Sequence, residues 1–213
     1  MNTPTFIYPV LAVLLAYLMG SLSFAVIVSR LMGLNDPRTY GSKNPGATNV
    51  LRSGSRKAAV ATLLLDAVKG WLPVALVRWW GPALGLEDGT LAMVGLAAFL
   101  GHLFPVFFRF VGGKGVATAL GVLVGVSPWL GVATGLVWLV VVLLTRYSSL
   151  SSLLAAVSAP VLYIMGDGTL WVADRYGVLS LVLMSALLVW RHAANIDRLL
   201  KGTESKVGSK KKA

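Results

Sequence analysis

Apolar residues in this chain run in long unbroken blocks instead of alternating with polar ones. Seven blocks, at residues 6–28, 58–80, 91–108, 116–126, 129–145, 153–165 and 176–190, are dominated by Leu, Val, Ala and Gly. A bilayer is crossed either by a helix of about 20 apolar residues or by a closed barrel, whose strands alternate lipid-facing and lumen-facing positions. Continuous blocks therefore predict helices. The fourth and sixth blocks are short, so they cross only with tilt or local thinning of the bilayer. The first block is too long for the core of a signal peptide and has no Lys or Arg before Arg30, so it reads as a retained helix. The expected fold class is an all-α integral membrane protein with seven transmembrane helices, forming one domain over residues 1–204 with a basic tail at 205–213.

Charge assigns the sides. With the N-terminus outside, every one of the 19 basic residues lies on the inner side except Arg78 and Arg175, which fall outside, and Lys69, which lies within a block. Glu87, Asp88, Asp167 and Asp174 lie in the outer connections. Folding the fourth block back as a re-entrant hairpin would put Arg146 outside, so seven crossings with the C-terminus cytoplasmic fit the positive-inside rule best. The composition, 56% hydrophobic and 13% charged, excludes an ordinary soluble domain. The net charge of +11 would suggest nucleic acid in a soluble protein, but the loop bias accounts for it here and no nucleic-acid partner is expected. The absence of cysteine excludes disulfides, thiolate chemistry and Cys-based metal sites. No Asp, Glu and His cluster has ligand spacing, so no metal is expected. The Lys-rich tail reads as solvated or lipid-facing and is assigned no chemistry.

Candidate chemistry collects on the inner side. Gly112, Gly113, Lys114 and Gly115 lie between two apolar blocks, where a helix N-terminus and a lysine together suit a phosphate. The same residues also make a tight turn on the positive side of a membrane protein, and both readings stand. The first inner connection is the longest and least apolar. It combines Ser42, Asn44, Gly46, Ala47, Thr48 and Asn49 with Lys43 and Arg52, which are small residues, neutral donors and charge able to cradle a phosphoryl group; a polar turn is the alternative. Ser148, Ser149, Ser151 and Ser152 exceed what a helix N-cap needs. Arg191, His192 and Asn195 are spaced to share one helical face.

Within the blocks, Asp66 and Lys69 are three apart and can pair, as a structural ion pair or in support of a site. Ser21 and Ser23 either bond back to their own helix or touch a substrate. His102 is either a packing residue or a general base, with Pro105 expected to bend its helix and free a carbonyl nearby. His192 and Asp197 have the HxxxxD spacing of the acyl-CoA and acyl carrier protein acyltransferases, at a helix end where nothing else fits that class.

A transporter would place polar groups near the midplane, on broken helices. Here they lie at one surface under an apolar bundle, which suits a substrate with a phosphate head and an acyl tail. Four ordered motifs then carry a family resemblance: Gly41-Ser42 with Asn44 to Arg52; Asp66 to Gly70 with Pro73; Gly101 to Pro105 running on to Gly112 to Thr118; and Arg191-His192 with Asn195-Ile196 and Arg198 to Leu200. They resemble the bacterial acyl-phosphate:glycerol-3-phosphate acyltransferases from about Gly20 to Glu204.

The resemblance implies transfer of a fatty acyl group from acyl phosphate to the 1-hydroxyl of glycerol 3-phosphate, giving lysophosphatidic acid and phosphate. It implies a multi-pass protein of the bacterial inner membrane with its site toward the cytoplasm and membrane lipid around it, and no cofactor or obligate protein partner. By resemblance Ser42, Asn44, Gly46, Ala47, Thr48 and Asn49 line one phosphate pocket with Arg52. Lys114 with Gly112, Gly113 and Gly115, helped by Ser148 or Ser149, His192 and Asn195, holds another. It does not assign the two phosphates to the two pockets. A substrate phosphate oxygen and His102 compete for the role of base, and an organic-anion or phosphate-ester transporter is the alternative function.

Overall fold

The computed structural model describes residues 7–208. Phe6, the first residue of the first expected span, and Lys210, Lys211 and Lys212 of the tail lie outside these residues. The described chain is all helical apart from an isolated bridge between Asp167 and Trp171. In order the helices are α1 Ile7–Gly20, α2 Phe24–Leu31, α3 Ala47–Val50, α4 Arg56–Trp80, α5 Asp88–Leu103, α6 Val116–Val126, α7 Pro128–Thr145, α8 Ser148–Met165, α9 Arg175–Arg191 and α10 Ala193–Leu200.

Each apolar block falls on one helix or one bent pair. The helices α4, α5, α7 and α8 are long and apolar enough to cross a membrane singly, and α6 is a shorter apolar helix. The pairs α1–α2 and α9–α10 qualify as bent spans, with angles of 44° and 58°. Helix starts follow local chemistry. Ser55 Oγ accepts the Ala58 amide at 3.2 Å to open α4, and the Asp174 carboxylate accepts the Tyr176 and Gly177 amides to open α9.

The bundle is built on close pairs. Helix α4 packs along α6 and α1 along α5, while α9 packs against both α5 and α8 and α7 runs beside α8. Small residues set the first two pairings: a Cβ on Gly70 would overlap the Thr118 carbonyl, one on Gly121 the Ala67 carbonyl, and one on Gly101 the Tyr17 carbonyl. Lipid gives helices no hydrophobic drive to associate, so backbone approach and van der Waals contact carry the association. Val74, Val94, Phe99, Leu103, Val122 and Leu130 fill the interior, while Leu15, Leu64, Leu143 and Leu144 face outward as lipid-facing positions do.

Two expected features take a different form. The first span is not continuous: the chain breaks at Ser21–Ser23, where Ser21 Oγ bonds back to the Tyr17 carbonyl. The Leu22 carbonyl, left without a helical partner, accepts Lys69 Nζ from α4 at 2.6 Å. Nor does Pro105 bend a helix that runs on to Phe108. Proline disfavours helical geometry in the residue before it. Phe104 accordingly leaves the helix at φ −131°, so α5 ends at Leu103 and the chain passes into a short 3-10 turn at Val106–Phe108. Arg109 and Phe110 then adopt left-handed backbone, with φ of 55° and 60°, and turn the chain back over the end of α5.

Candidate functional site

The returning chain lays the Gly112–Gly115 stretch flat on the end of α5. The Gly113 amide donates to the His102 carbonyl at 3.1 Å. A Cβ on Gly112 would overlap the carbonyls of His102 and Leu103, and one on Gly113 would overlap His102 Nε2 and crowd the Pro45 carbonyl. Gly115 stands at φ 85° at the start of α6 and packs against the Phe99 ring. These glycines are required by backbone approach, and the Gly113 amide is already committed to α5. What the stretch presents at this end of the bundle is the side chain of Lys114.

The far end of the bundle meets Lys114 there. Helix α9 stops at Arg191 and the chain turns through His192 into α10, so Arg191 and Asn195 do not share one continuous helical face. They converge by the bend instead. Arg191 donates to the Gly112 carbonyl at 2.8 Å and the Gly113 carbonyl at 3.1 Å, pinning the loop. Asn195 Oδ1 accepts from Lys114 Nζ. The Asn195 amide donates to Glu204 Oε1 at 2.7 Å, Ser149 Oγ donates to the same oxygen at 2.7 Å, and Arg198 Nε donates to Glu204 Oε2 at 2.6 Å. His192 is buried, with Nδ1 against the Leu188 carbonyl at 2.8 Å, and lies within electrostatic reach of Lys114.

Burial lowers the Lys114 ammonium to about 8; Glu204 opposes the shift, and Arg198, Arg52 and Arg191 add to it. A charged Lys114 is therefore present below that pH and lost as pH rises through it. Capture of an anion by the free enzyme should weaken along the same limb, so kcat/KM for a phosphate substrate is expected to fall above about pH 8. A flat kcat/KM profile from pH 7 to about pH 9.5 would contradict a role for this ammonium.

The first long loop, between α2 and α4, supplies the other wall. Asn49 is buried, and its side chain organises the loop: Nδ2 donates to the Pro37 and Tyr40 carbonyls at 2.6 and 3.2 Å, and Oδ1 accepts the Ser42 amide at 3.0 Å and Arg52 at 3.4 Å. Ser42 and Thr48 are exposed, and Asn44, Gly46 and Ala47 are half-buried beside them. Arg52 also donates to Ser205 Oγ at 3.1 Å. The Pro45 carbonyl against Gly113 joins this loop to the Lys114 turn.

Beneath the turn lies a buried polar chain. Lys69 Nζ stands 2.7 Å from Asp66 Oδ1, which is 3.6 Å from His102 Nδ1, and Thr118 Oγ1 is 3.1 Å from the same nitrogen. This chain links α4, α5, α6 and, through Leu22, the break after α1. His102 has one ring nitrogen engaged by Thr118 and Asp66 and the other walled by Gly113. Ser21 and Ser23 are buried at the break.

Asp197 pairs with exposed Lys201 at 2.8 Å and makes no bond to His192 among the described residues, so the HxxxxD spacing does not form a His-Asp pair here. Ser149 belongs to the cluster, whereas Ser148 contributes a backbone carbonyl to Ser152 Oγ within α8. Two members of the cluster escaped the sequence reading of sites. Glu204 stood only as the boundary of the domain, and Arg198 only as part of a motif. The signal that points to Glu204 is one of charge: it is an acid in a C-terminal stretch otherwise dominated by Lys and Arg.

The profile of the glycerol-3-phosphate acyltransferase family matches residues 10–202. A glycerol-3-phosphate acyltransferase of Albidiferax ferrireducens is 66% identical, with 95% of this chain and 91% of that protein covered. One from Bordetella pertussis is 56% identical over 99% of this chain and 97% of its own length. Among solved structures, PlsY (YgiH), an integral membrane glycerol 3-phosphate acyltransferase, is similar in its glycerol 3-phosphate form. The TM-score is 0.85 and the identity 39%, with 94% of this chain and 96% of that one covered. Its lysophosphatidic acid form matches with a TM-score of 0.84 at 38% identity, over 94% and 96% of the two chains.

Proposed function

From its place in the glycerol-3-phosphate acyltransferase family, to which the chain belongs, we propose that it transfers a fatty acyl group from acyl phosphate to the 1-hydroxyl of glycerol 3-phosphate. The products are lysophosphatidic acid and inorganic phosphate. The observation that carries this reading is the cluster of Lys114, Asn195, Ser149, Arg191, Arg198 and Arg52 at one end of an apolar bundle. Phosphate heads belong in that cluster and an acyl tail belongs beside it, in lipid.

Seven crossings, with the N-terminus outside and the C-terminus in the cytoplasm, put this end at the inner face of the bacterial inner membrane. Residues 1–204 form the catalytic domain. Ser42, Asn44, Gly46, Ala47 and Thr48 line the first-loop side of the site with Arg52, and Asn49 holds that loop in shape. Lys114, Ser149, His192 and Asn195 line the opposite side, and Gly112, Gly113 and Gly115 set the height of Lys114. Ser148 stands at the rim. Asp66, Lys69 and His102, with Ser21 and Ser23 at the helix break, support the floor.

In the transfer, the glycerol 1-hydroxyl oxygen bonds to the acyl carbon, the bond from that carbon to the phosphate oxygen breaks, and the hydroxyl proton leaves on a substrate phosphate oxygen. Acyl phosphate is already activated. The protein therefore supplies alignment of two anionic substrates and neutralisation of their charge more than a strong base. His102, enclosed by Thr118, Asp66 and Gly113, is placed as a brace for the Lys114 turn.

Donor choice tests the reading. The purified chain should form lysophosphatidic acid from acyl phosphate and glycerol 3-phosphate, and none from acyl-CoA. Use of acyl-CoA, lost in Asp197→Asn, would overturn it in favour of the HxxxxD class.

A further inference from the structure

The C-terminal segment crosses the inner mouth of the bundle instead of trailing away from it. Gly202 turns the chain at φ 67°, Glu204 reaches into the basic cluster, and Ser205 accepts from Arg52. Val207 pairs with Arg146 in both directions, its amide donating to the Arg146 carbonyl at 2.8 Å and its carbonyl accepting from the Arg146 guanidinium at 3.0 Å. Three connections far apart in sequence are thus tied by one strap.

Glu204 is the buried part of it, with its side chain only 8% exposed beside Arg198. Oε1 takes Ser149 Oγ–H and one Asn195 N–H, and Oε2 takes Arg198. With its amide nitrogen held this way, Asn195 can turn only its oxygen toward Lys114 Nζ. Among the described residues, the other charged groups that act on Lys114 are cationic, Arg191 from α9, Arg198 from α10 and Arg52 from the first loop; His192, at the bend between α9 and α10, is lowered to about 4 by burial and stays neutral beside it.

Taking the functional reading above as its premise, we infer that Glu204 is a positioning residue for acyl transfer: its carboxylate fixes the orientation of Asn195 and Ser149 and holds the Lys114 ammonium in place among three arginines. Burial opposes ionisation of Glu204, but hydrogen bonds from Ser149, Asn195 and Arg198 outweigh it and keep the carboxyl below the usual range, so the charge is present throughout the neutral region. The Lys114 ammonium, buried among cations, depends on that charge.

The test is the pH profile of kcat/KM for glycerol 3-phosphate, with acyl phosphate saturating, in the purified full chain and in Glu204→Gln. The variant keeps the size of the side chain and removes its charge. Its alkaline limb is expected to move down by about one pH unit, so that its loss of activity is about fourfold larger at pH 8 than at pH 6.5. Glu204→Asp, whose shorter carboxylate stands farther from Asn195, should place the limb between the other two. It carries the test where Glu204→Gln does not accumulate as folded protein. A loss of equal size at every pH, or an unmoved limb in both variants, makes Glu204 a structural brace and overturns the inference. Failure of both variants to fold has the same consequence. A wild-type chain that makes no lysophosphatidic acid would instead overturn the functional reading.

Discussion

Lys114→Ala is expected to lower kcat/KM for acyl transfer by about 10²- to 10³-fold, roughly 3 to 4 kcal/mol of transition-state stabilisation, with the fold intact. The ammonium is the part of the Gly112–Gly115 turn that reaches the site, because Gly112 and Gly113 are pressed on the end of α5 and their carbonyls are held by Arg191. It is half-buried, so what it offers a phosphate is a charge already partly stripped of water. Removing it leaves Asn195 Oδ1 without its donor and a phosphate with one cation fewer. The side chain meets α10 only through its polar tip, at Asn195, and fills no part of the apolar interior, so thermal unfolding of the purified variant should stay close to wild type. Steady-state kinetics and a melting curve on the same preparation check both halves. Near wild-type turnover would reduce the turn to a tight connection between α5 and α6.

The second large effect is on stability. Lys69→Met is expected to destabilise the protein by about 3 to 5 kcal/mol, because it breaks a buried ion pair and leaves one charge uncompensated. Lys69 and Asp66 are almost fully enclosed, with side chains 2% and 3% exposed. Without the ammonium, the Asp66 carboxylate keeps, among the described residues, His102 at 3.6 Å, and the Leu22 carbonyl at the break between α1 and α2 loses its donor. The double variant Asp66→Leu with Lys69→Met removes both charges and should recover most of the loss. Thermal unfolding of the three chains in one detergent makes the comparison. If the single variant melts like wild type, the pair is not a brace.

How much of this was readable in advance depends on which interactions are local. The helices were legible, because a block such as 129–145 has no charged residue and no polar–apolar alternation, with Thr134 and Thr145 as its hydroxyls. The pairing of Asp66 with Lys69 was legible too, since a spacing of three fixes it on any helix. The break at Ser21–Ser23 was not: what supports it is Lys69, 47 residues away in sequence. Pro105 was read correctly as a disruption but not as a terminus: its effect on Phe104 is local, whereas the Gly113 amide that takes up the freed His102 carbonyl comes from the returning chain.

The candidate site divides the same way. Residue types pointed to Lys114, Asn195, Ser149 and Arg52 as separate motifs on one side of the membrane. That Asn49 shapes the first loop from within follows only from the path of the carbonyls of Pro37 and Tyr40. Glu204 could not be placed without the strap that carries it, since its partners Ser149 and Asn195 come from two different helices.

The central claim is that the basic cluster at this end of the bundle joins two substrates in one reaction instead of passing an anion across the bilayer. It is tested by inorganic phosphate release from acyl phosphate, measured with the purified chain in proteoliposomes as glycerol 3-phosphate is titrated in. The account predicts no release without glycerol 3-phosphate, and with it one phosphate released for each lysophosphatidic acid formed. Accumulation of glycerol 3-phosphate inside the vesicles with no phosphate release and no product would contradict it.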